Sequence, residues 1–376
     1  KAKVLIAIDS FKGSISSLNA ARAIKEGIHS VSDQAEIEIV PIADGGEGTV
    51  EAVIEALNGQ YIAAQVHDPL MRLINARYGV IDLGKTAIIE MAAASGLTIL
   101  KQHEMNPLIT TSFGTGEQIV DAIKKGSRRI ILGLGGSATN DGGIGMAAAL
   151  GFKFYDGNNI AVEPFAKNLS RIERIDLPKN YNELKEIGFI AVTDVTNPLL
   201  GINGASYVYG PQKGADESVV KMLDESMKKY SEVVEQKFKK SISGISGSGA
   251  AGGLGFASAA FLNAEIINGI DFITTVLNLE EMIMNSDVVI TGEGRLDDQT
   301  RFNKVPFGVA KLAKKYDKKV IAVAGIVDEE ARGFPGCHFD KIYSIVNEII
   351  SQEDSMQNTR LHLHNLSQRI AVENNL

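Results

Sequence analysis

Short apolar runs that end at an acidic or glycine residue recur along this chain, and they alternate with segments of helical periodicity. Residues 4–8 (VLIAI) end at Asp9, and residues 287–291 (DVVIT) lead into a glycine segment. Helices are predicted after each run, at about 16–29, where Ser16 and Ser17 offer N-caps, and from about 306. A further amphipathic helix is predicted from about Ser355. Continuous apolar strands between helices are typical of parallel sheets that are covered on both faces. We therefore predict an α/β protein with a doubly wound parallel sheet.

The middle of the chain has a different pattern. Residues 76–83 and 87–91 are strand-like and flank a Gly84-Lys85 turn, which predicts an antiparallel pair. A charged helix is predicted at about 216–240, before a glycine-rich stretch at 244–255. The 376 residues are enough for roughly two domains of about 150 residues each. We expect a discontinuous doubly wound domain made of residues 1–60 and 286–376, with an inserted mixed α/β domain at 61–285.

Composition excludes several functional classes. The net charge is −8 and no run of Lys or Arg is present, so we expect no nucleic-acid partner. No apolar stretch approaches the roughly 18 residues of a membrane span, so we expect no membrane partner. The single Cys337 excludes an internal disulfide and fits a cytoplasmic protein. A homo-oligomer has no support in the sequence.

One match to a nucleotide-binding motif is misleading. GVIDLGKT at 79–86 has the spacing of a phosphate-binding P-loop. A P-loop needs a polar or glycine-rich spacer and a helix after its Lys. Here Val80, Ile81 and Leu83 continue a strand pattern, and Ala87-Ile88-Ile89 resumes it. We interpret the segment as a hairpin and reject the P-loop.

A second glycine-rich motif, LGLGGSATNDGG at 132–143, follows a strand-like run and precedes a helix of small residues. Gly133, Gly135 and Ala138 fit a relaxed dinucleotide-binding pattern, with Asp156 as its downstream acidic residue. Asp141, however, occupies the helix start, where its charge would repel a pyrophosphate. The hydroxyls and glycine N–H groups of this loop could instead hold nucleotide phosphates through a magnesium ion. A tight turn with Asp141 as the helix cap is the structural alternative.

Carboxylates follow several predicted strands. Asp9, Asp44, Asp194 and Glu293 each come just after an apolar run. Strand ends of a parallel sheet meet at one edge, so these groups are expected to lie close to a ligand. Clustered acids require cations, which implies Mg²⁺, and one Asp could accept the proton of a hydroxyl nucleophile.

Basic residues are predicted to lie in glycine-rich loops as well. These are Lys12 in DSFKG, Lys213 in GPQKGA, Arg295 in GEGRLD and Lys304 in NKVP. The lysines suit phosphate charge, and the Arg295 guanidinium suits bidentate binding of a carboxylate.

The whole chain resembles the type-1 glycerate kinases, bacterial enzymes that phosphorylate D-glycerate with ATP. The matching blocks, in order, are DSFKGS at 9–14, PIADGGEGT at 41–49, EMAAASGL at 90–97, GLGGSATNDGG at 133–143, TDVTNPLLGINGA at 193–205, YGPQKGA at 209–215, GAAGGLG at 249–255 and TGEGRLDDQT at 291–300. One departure lies beyond the last block, where Asn303 precedes Lys304 in place of the usual glycine. The resemblance implies a flavodoxin-like domain split between the chain ends, an inserted domain and an active site in the cleft between them. It favours 2-phosphoglycerate over 3-phosphoglycerate as product.

Together, the motifs and the resemblance give each candidate residue an expected role. The predicted catalytic residues are Asp194 as first choice of base, Asp44 as second, Lys12 and Asp9. Glycerate is expected to bind Arg295, Ser10 and Asp297. ATP is expected to bind Gly135, Gly136, Ser137, Thr139, Asn140, Lys213, Gly252 and Gly253, and Mg²⁺ is expected to bind Asp141 and Glu293. Two alternatives remain open at this point: an NAD-dependent oxidoreductase of a small hydroxy acid, and a nucleotide- or glycerate-binding protein without catalysis.

Overall fold

A computed structural model describes residues 1–40, 42, 48–297, 305–328 and 338–376. Its strands are β1 (Lys3–Ile8), β2 (Glu36–Ile39), β3 (Gln60–His67), β4 (Leu73–Ile81), β5 (Thr86–Glu90), β6 (Arg129–Gly133), β7 (Lys153–Tyr155), β8 (Arg174–Asp176), β9 (Gly188–Val192), β10 (Glu265–Ile267), β11 (Val288–Leu296), β12 (Lys319–Val327) and β13 (Lys341–Ser344). Its α-helices are α1 (Ser17–His29), α2 (Thr49–Ala56), α3 (Ala92–Ser95), α4 (Phe113–Lys124), α5 (Ile144–Ala149), α6 (Tyr181–Lys185), α7 (Ala205–Tyr209), α8 (Glu217–Phe238), α9 (Ala250–Phe261), α10 (Gly269–Val276), α11 (Leu279–Met284), α12 (Val305–Lys315), α13 (Gln352–Gln357) and α14 (Thr359–Asn374).

The described residues group into two compact units. The first unit holds the described part of 1–44, residues 55–57 and Gly269–Leu376. The second holds the described part of 45–54 and Asn58–Asn268.

The first unit is built on a five-stranded parallel sheet in the order β2-β1-β11-β12-β13. This is the flavodoxin-like order, in which the first strand is flanked by the second and third. The strand interiors are apolar because helices cover the sheet; Ile6, Ile290 and Val323 are fully buried in one core cluster. The predicted doubly wound α/β class is confirmed.

One strand extends further than predicted. A glycine loop was expected directly after Thr291, but β11 continues through Gly292, Glu293, Gly294 and Arg295 to Leu296. The reason is pairing with β12, which runs parallel to it as far as Leu296 opposite Val327. The prediction that Arg295 lies in a loop is therefore wrong, and the residue is held on a strand.

The second unit contains a six-stranded mixed sheet in the order β10-β9-β6-β5-β4-β3. Strands β10, β9, β6 and β5 are parallel, and β5, β4 and β3 are antiparallel. The expected hairpin is confirmed, since Ile81 pairs with Thr86 across the turn that contains Gly84. The P-loop match therefore lies within a hairpin, and the residue in its Ser/Thr position begins a strand.

A short loop, residues 9–16, connects β1 to helix α1. Its N-cap is Ser16, as the sequence predicts, and the hydroxyl accepts a hydrogen bond from the Asn19 backbone N–H. Gly27 lets α14 approach closely, because a Cβ there would lie 2.3 Å from the His364 carbonyl oxygen. The predicted C-terminal helix from about Ser355 is two helices, α13 and α14, with Asn358 between them.

Candidate active site

A cavity of about 290 Å³ lies in the first unit at the carboxyl ends of β1, β11 and β12. Ligands of open α/β sheets bind beyond these strand ends, where the strand order reverses. The cavity is lined by Ser10, Phe11, Lys12, Ser14, Glu293, Gly294, Arg295, Gly325, Ile326, Gln352, Ser355, Met356 and Thr359. Four residues predicted from the sequence therefore converge here: Ser10, Lys12, Glu293 and Arg295.

Two further predicted residues lie beside this cavity and do not line it. The Asp9 carboxylate accepts a 2.6 Å hydrogen bond from the Ser10 backbone N–H, which shapes the turn after β1. Asp297 follows the last residue of β11. Asp44, Asn303 and Lys304 lie outside the described residues.

The C-terminal helices supply cavity residues that the sequence analysis missed. The Ser14 hydroxyl donates to the Met356 carbonyl oxygen at 2.6 Å and contacts the Thr359 hydroxyl. These contacts tie the loop after β1 to the junction of α13 and α14, so that Gln352 and Met356 face the cavity. The only sequence signal for this arrangement was the amphipathic pattern of the predicted C-terminal helix. That pattern does not identify the segment against which the helix packs.

Arg295 is engaged by another residue of the same unit. Its Nη2 donates to Asp328 Oδ1 at 2.9 Å and to Oδ2 at 3.1 Å, and its Nε donates to Oδ2 at 3.3 Å. The carboxylate that Arg295 binds here is that of Asp328, a partner that the sequence analysis did not identify.

In the second unit, the loop between β6 and α5 lies at the carboxyl edge of the six-stranded sheet. The Leu134 backbone N–H donates to the Val192 carbonyl oxygen at 3.0 Å, which brings the loop beside the end of β9. Gly135 is half-buried and Gly136 is exposed, and Asp194 is exposed just beyond β9. The parallel strands therefore bring the glycines and the first-choice base to one sheet edge. Asp9 follows β1 and Glu293 lies on β11 of the five-stranded sheet of the first unit, so the expectation that the described carboxylates share one sheet edge is wrong.

The rest of that loop turns into the protein. Ser137, Thr139 and Asn140 are buried. The Asn140 Nδ2 donates to the Ser206 hydroxyl at 2.9 Å. Thr139 Oγ1 and Asn140 Oδ1 have no hydrogen-bond partner among the residues that the structure describes. A buried polar atom without a partner is costly, and a bound water, ion or ligand can satisfy it.

Lys213 lies beneath the loop. Its side chain is 1% exposed, and Nζ donates to the Ser137 hydroxyl at 2.7 Å and to the Thr139 carbonyl oxygen at 2.6 Å. Burial lowers the pKa of Lys213 from 10.5 to about 7, while the Asp141 carboxylate opposes that shift. The amine therefore stabilises the loop from inside, through Ser137 and Thr139.

Asp141 is a buried structural acceptor. Its Oδ2 accepts hydrogen bonds from the backbone N–H and hydroxyl of Ser112, and its Oδ1 accepts from Gly143 N–H. Burial raises the pKa of Asp141, and the Ser112 hydrogen bonds oppose that rise. Asp141 thus closes the tight turn before α5, as in the structural alternative, although the N-cap itself is Gly143, and we do not retain Asp141 as a magnesium ligand. Among the described residues, no group of three or more His, Cys, Asp or Glu could hold a metal ion.

Gly252 and Gly253 serve close packing of two loops. Both have positive φ, +64° and +93°, and a Cβ on Gly252 would lie 2.0 Å from the Thr139 carbonyl oxygen. The Gly142 backbone N–H donates to the Gly252 carbonyl oxygen at 2.9 Å. These glycines shape the 139–142 segment from behind, whereas the sequence analysis expected them to contact ATP directly.

The dinucleotide-binding alternative does not fit this geometry. A Rossmann fingerprint needs its helix to begin within the glycine pattern, but α5 begins at Ile144, well beyond Gly133 and Ala138. Asp156, which would bind a ribose, accepts backbone N–H groups of Asn158 and Ile160. It therefore shapes a local turn.

Comparisons with known proteins agree with the resemblance. The sequence model of the glycerate kinase family matches residues 4–374. The glycerate 2-kinase of Escherichia coli (strain K12) is 44% identical over 370 residues, which cover 98% of this chain and 97% of that protein. The glycerate kinase of Bacillus subtilis (strain 168) is 40% identical over 370 residues, which cover 98% and 97%.

A solved structure agrees as well. The crystal structure of a provisionally assigned glycerate kinase 2 from Salmonella typhimurium LT2 matches with a TM-score of 0.87 and 40% identity. The match covers 100% of this chain and 98% of that one. In the described part of the chain, no helix is long and apolar enough to cross a membrane. The family match over nearly the whole chain and these relatives show that the chain belongs to the glycerate kinase family, whose members are phosphotransferases.

Proposed function

We propose that this chain transfers a phosphoryl group from ATP to O2 of D-glycerate and releases 2-phosphoglycerate. The observation that carries the proposal is the cavity at the ends of β1, β11 and β12, which places Ser10, Lys12 and Arg295 together in a chain of this family. The choice of O2 follows the resemblance and the printed name of the E. coli relative.

The cavity suits a small hydroxy acid. Its volume of about 290 Å³ equals that of about ten water molecules at roughly 30 Å³ each, enough for glycerate. Lys12 offers positive charge and Arg295 offers N–H donors to a carboxylate or to phosphoryl oxygens, and Ser10 offers a hydroxyl. Phosphoryl transfer asks a protein mainly for positioning and charge stabilisation, which such a donor set provides.

We assign ATP to the carboxyl edge of the six-stranded sheet. Gly135 and Gly136 offer backbone N–H groups at the surface, and the buried contacts of Ser137, Thr139 and Lys213 hold the loop in shape. Asp194, at the same edge, is the proposed base that orients the attacking hydroxyl; Asp44 stays the second choice. The domain boundaries at 60/61 and 285/286, and transfer in a cleft between the domains, stay predictions.

Mg²⁺ is part of the proposal, because it usually binds through one or two carboxylates together with substrate phosphates. Glu293 is the acidic residue of the cavity wall and is our remaining candidate ligand. When bound, the ion would neutralise charge on the phosphates.

The product identifies the reaction. Phosphorus NMR of a mixture of enzyme, ATP, Mg²⁺ and D-glycerate should show phosphate on the secondary carbon, where the phosphorus couples to one proton. Coupling to two protons would place the phosphate on O3, and unchanged ATP would contradict the proposed kinase.

A further inference from the structure

The ion pair of Arg295 and Asp328 has a defined geometry. Asp328 follows the last residue of β12, and its backbone N–H donates to the Leu296 carbonyl oxygen at 3.0 Å. Its carboxylate binds the Nε and Nη2 edge of Arg295 with both oxygens. Arg295 lines the cavity, and Asp328 does not.

This arrangement leaves part of the guanidinium available. An arginine has five N–H donors in a planar fork, and a carboxylate on the Nε and Nη2 edge leaves the Nη1 side uncommitted to that pair. That side can bind a second carboxylate in a planar, bidentate manner. The Arg295 side chain is 55% exposed, so without Asp328 it would sample many rotamers.

We propose that Asp328 is a positioning residue for the substrate carboxylate: it holds Arg295 in the orientation that receives the carboxylate of glycerate. The inference rests on the proposed function, in which Arg295 binds that carboxylate. It assigns a role to a residue outside every recognised motif. The competing interpretation makes Asp328 an internal substitute for the substrate, and the two interpretations predict opposite changes in KM.

The location of Asp328 favours positioning. Asp328 binds the guanidinium but does not line the cavity, and its backbone is held by the hydrogen bond to Leu296 on β11. A substrate carboxylate in the cavity therefore need not displace it. Since Asp328 neutralises the charge of Arg295, binding of the glycerate carboxylate depends on the direction of the guanidinium N–H groups more than on net charge.

The test is the steady-state kinetics of Asp328→Asn with each substrate varied in turn. We expect KM for D-glycerate to rise about tenfold, with KM for ATP and kcat within twofold of wild type. Asp328→Glu keeps the charge but moves the carboxylate by one methylene, and it should give an intermediate KM for D-glycerate. Thermal unfolding of every variant identifies any that are not folded. If Asp328→Asn is unstable, the kinetics of Asp328→Glu provide the test in its place.

Glu26→Gln is the matched control. Glu26 binds Arg360 through both carboxylate oxygens at 3.0 and 2.7 Å in the same unit, and neither residue lines the cavity. Loss of this ion pair should leave both KM values unchanged.

A double-mutant cycle isolates the pair. Arg295→Ala should itself raise KM for D-glycerate, and Asp328→Asn on that background should add nothing, because its effect acts through Arg295. A lower KM in Asp328→Asn, an unchanged KM, or an equal effect without Arg295 would each overturn the inference. A wild-type protein without D-glycerate-dependent ADP release would contradict the proposed function itself, whereas an active wild type with an unaffected Asp328→Asn contradicts only the role of Asp328.

Discussion

The Nζ atom of Lys213 lies 2.7 Å from the Ser137 hydroxyl and 2.6 Å from the Thr139 carbonyl oxygen, inside the second unit. A lysine in this position is a structural support of the glycine-rich loop, because its charge is removed from water and its protons are directed at loop atoms. The pKa of about 7 makes this support dependent on pH.

The contribution of Lys213 to the free energy of unfolding should therefore depend on pH. The folded-state pKa of about 7 lies below the usual 10.5, so the unfolded chain binds more protons between these two values. Stability from this group consequently rises as pH increases through that window, by at most about 1.4 kcal/mol per pH unit. Urea unfolding of wild type and Lys213→Met at pH 7 and pH 9 measures the difference. An identical pH slope in both proteins would contradict the low pKa.

Gly252→Ala should destabilise the second unit. The new Cβ would lie 2.0 Å from the Thr139 carbonyl oxygen at a residue with φ of +64°. Overpacking and left-handed backbone strain each cost about 1–3 kcal/mol. Gly244→Ala is the matched control, because no heavy atom lies within 4 Å of its Cβ position. Equal unfolding free energies for the two variants would contradict the packing account.

Lys12→Ala should reduce kcat/KM for D-glycerate by about 10²-fold without loss of stability. Lys12 lines the cavity and is exposed, so its removal takes away positive charge while leaving the core intact. The control is Lys315→Ala, since Lys315 is an exposed lysine of the same unit that binds Glu280. Wild-type kinetics in Lys12→Ala would remove this residue from the site.

Asp194→Asn tests the proposed base. We expect kcat to fall about 10²–10⁴-fold while KM for D-glycerate changes little, because a general base acts mainly in the transition state. Asp176→Asn, on β8 of the same unit, should retain wild-type kcat. A fall in kcat of less than threefold in Asp194→Asn would transfer the role to another residue, with Asp44 next in order.

The sequence was most informative where local pattern and chemistry coincide. Apolar runs predicted the parallel strands, and the carboxyl-edge rule selected Glu293, which lines the cavity. The pairing of β11 with β12 could not be predicted from local pattern. Residues 292–295 are glycine-rich and are typical of a loop, and they form a strand because β12 pairs with them.

The burial of individual side chains could not be predicted from the sequence either. Lys213 and Asp141 have the residue types of a phosphate and metal site, but their chemistry here follows from being enclosed by other segments of the chain. The contribution of Gln352 and Met356 to the cavity depends on contacts between distant parts of the chain, such as that between Ser14 and Met356, which are more than 300 positions apart.

The most direct test of the account is ADP release from ATP and Mg²⁺ with D-glycerate, with L-glycerate and with no acceptor. The account predicts rapid release with D-glycerate and slow release in both other mixtures. Release that is independent of D-glycerate, or absent at high concentrations of folded protein, would contradict it.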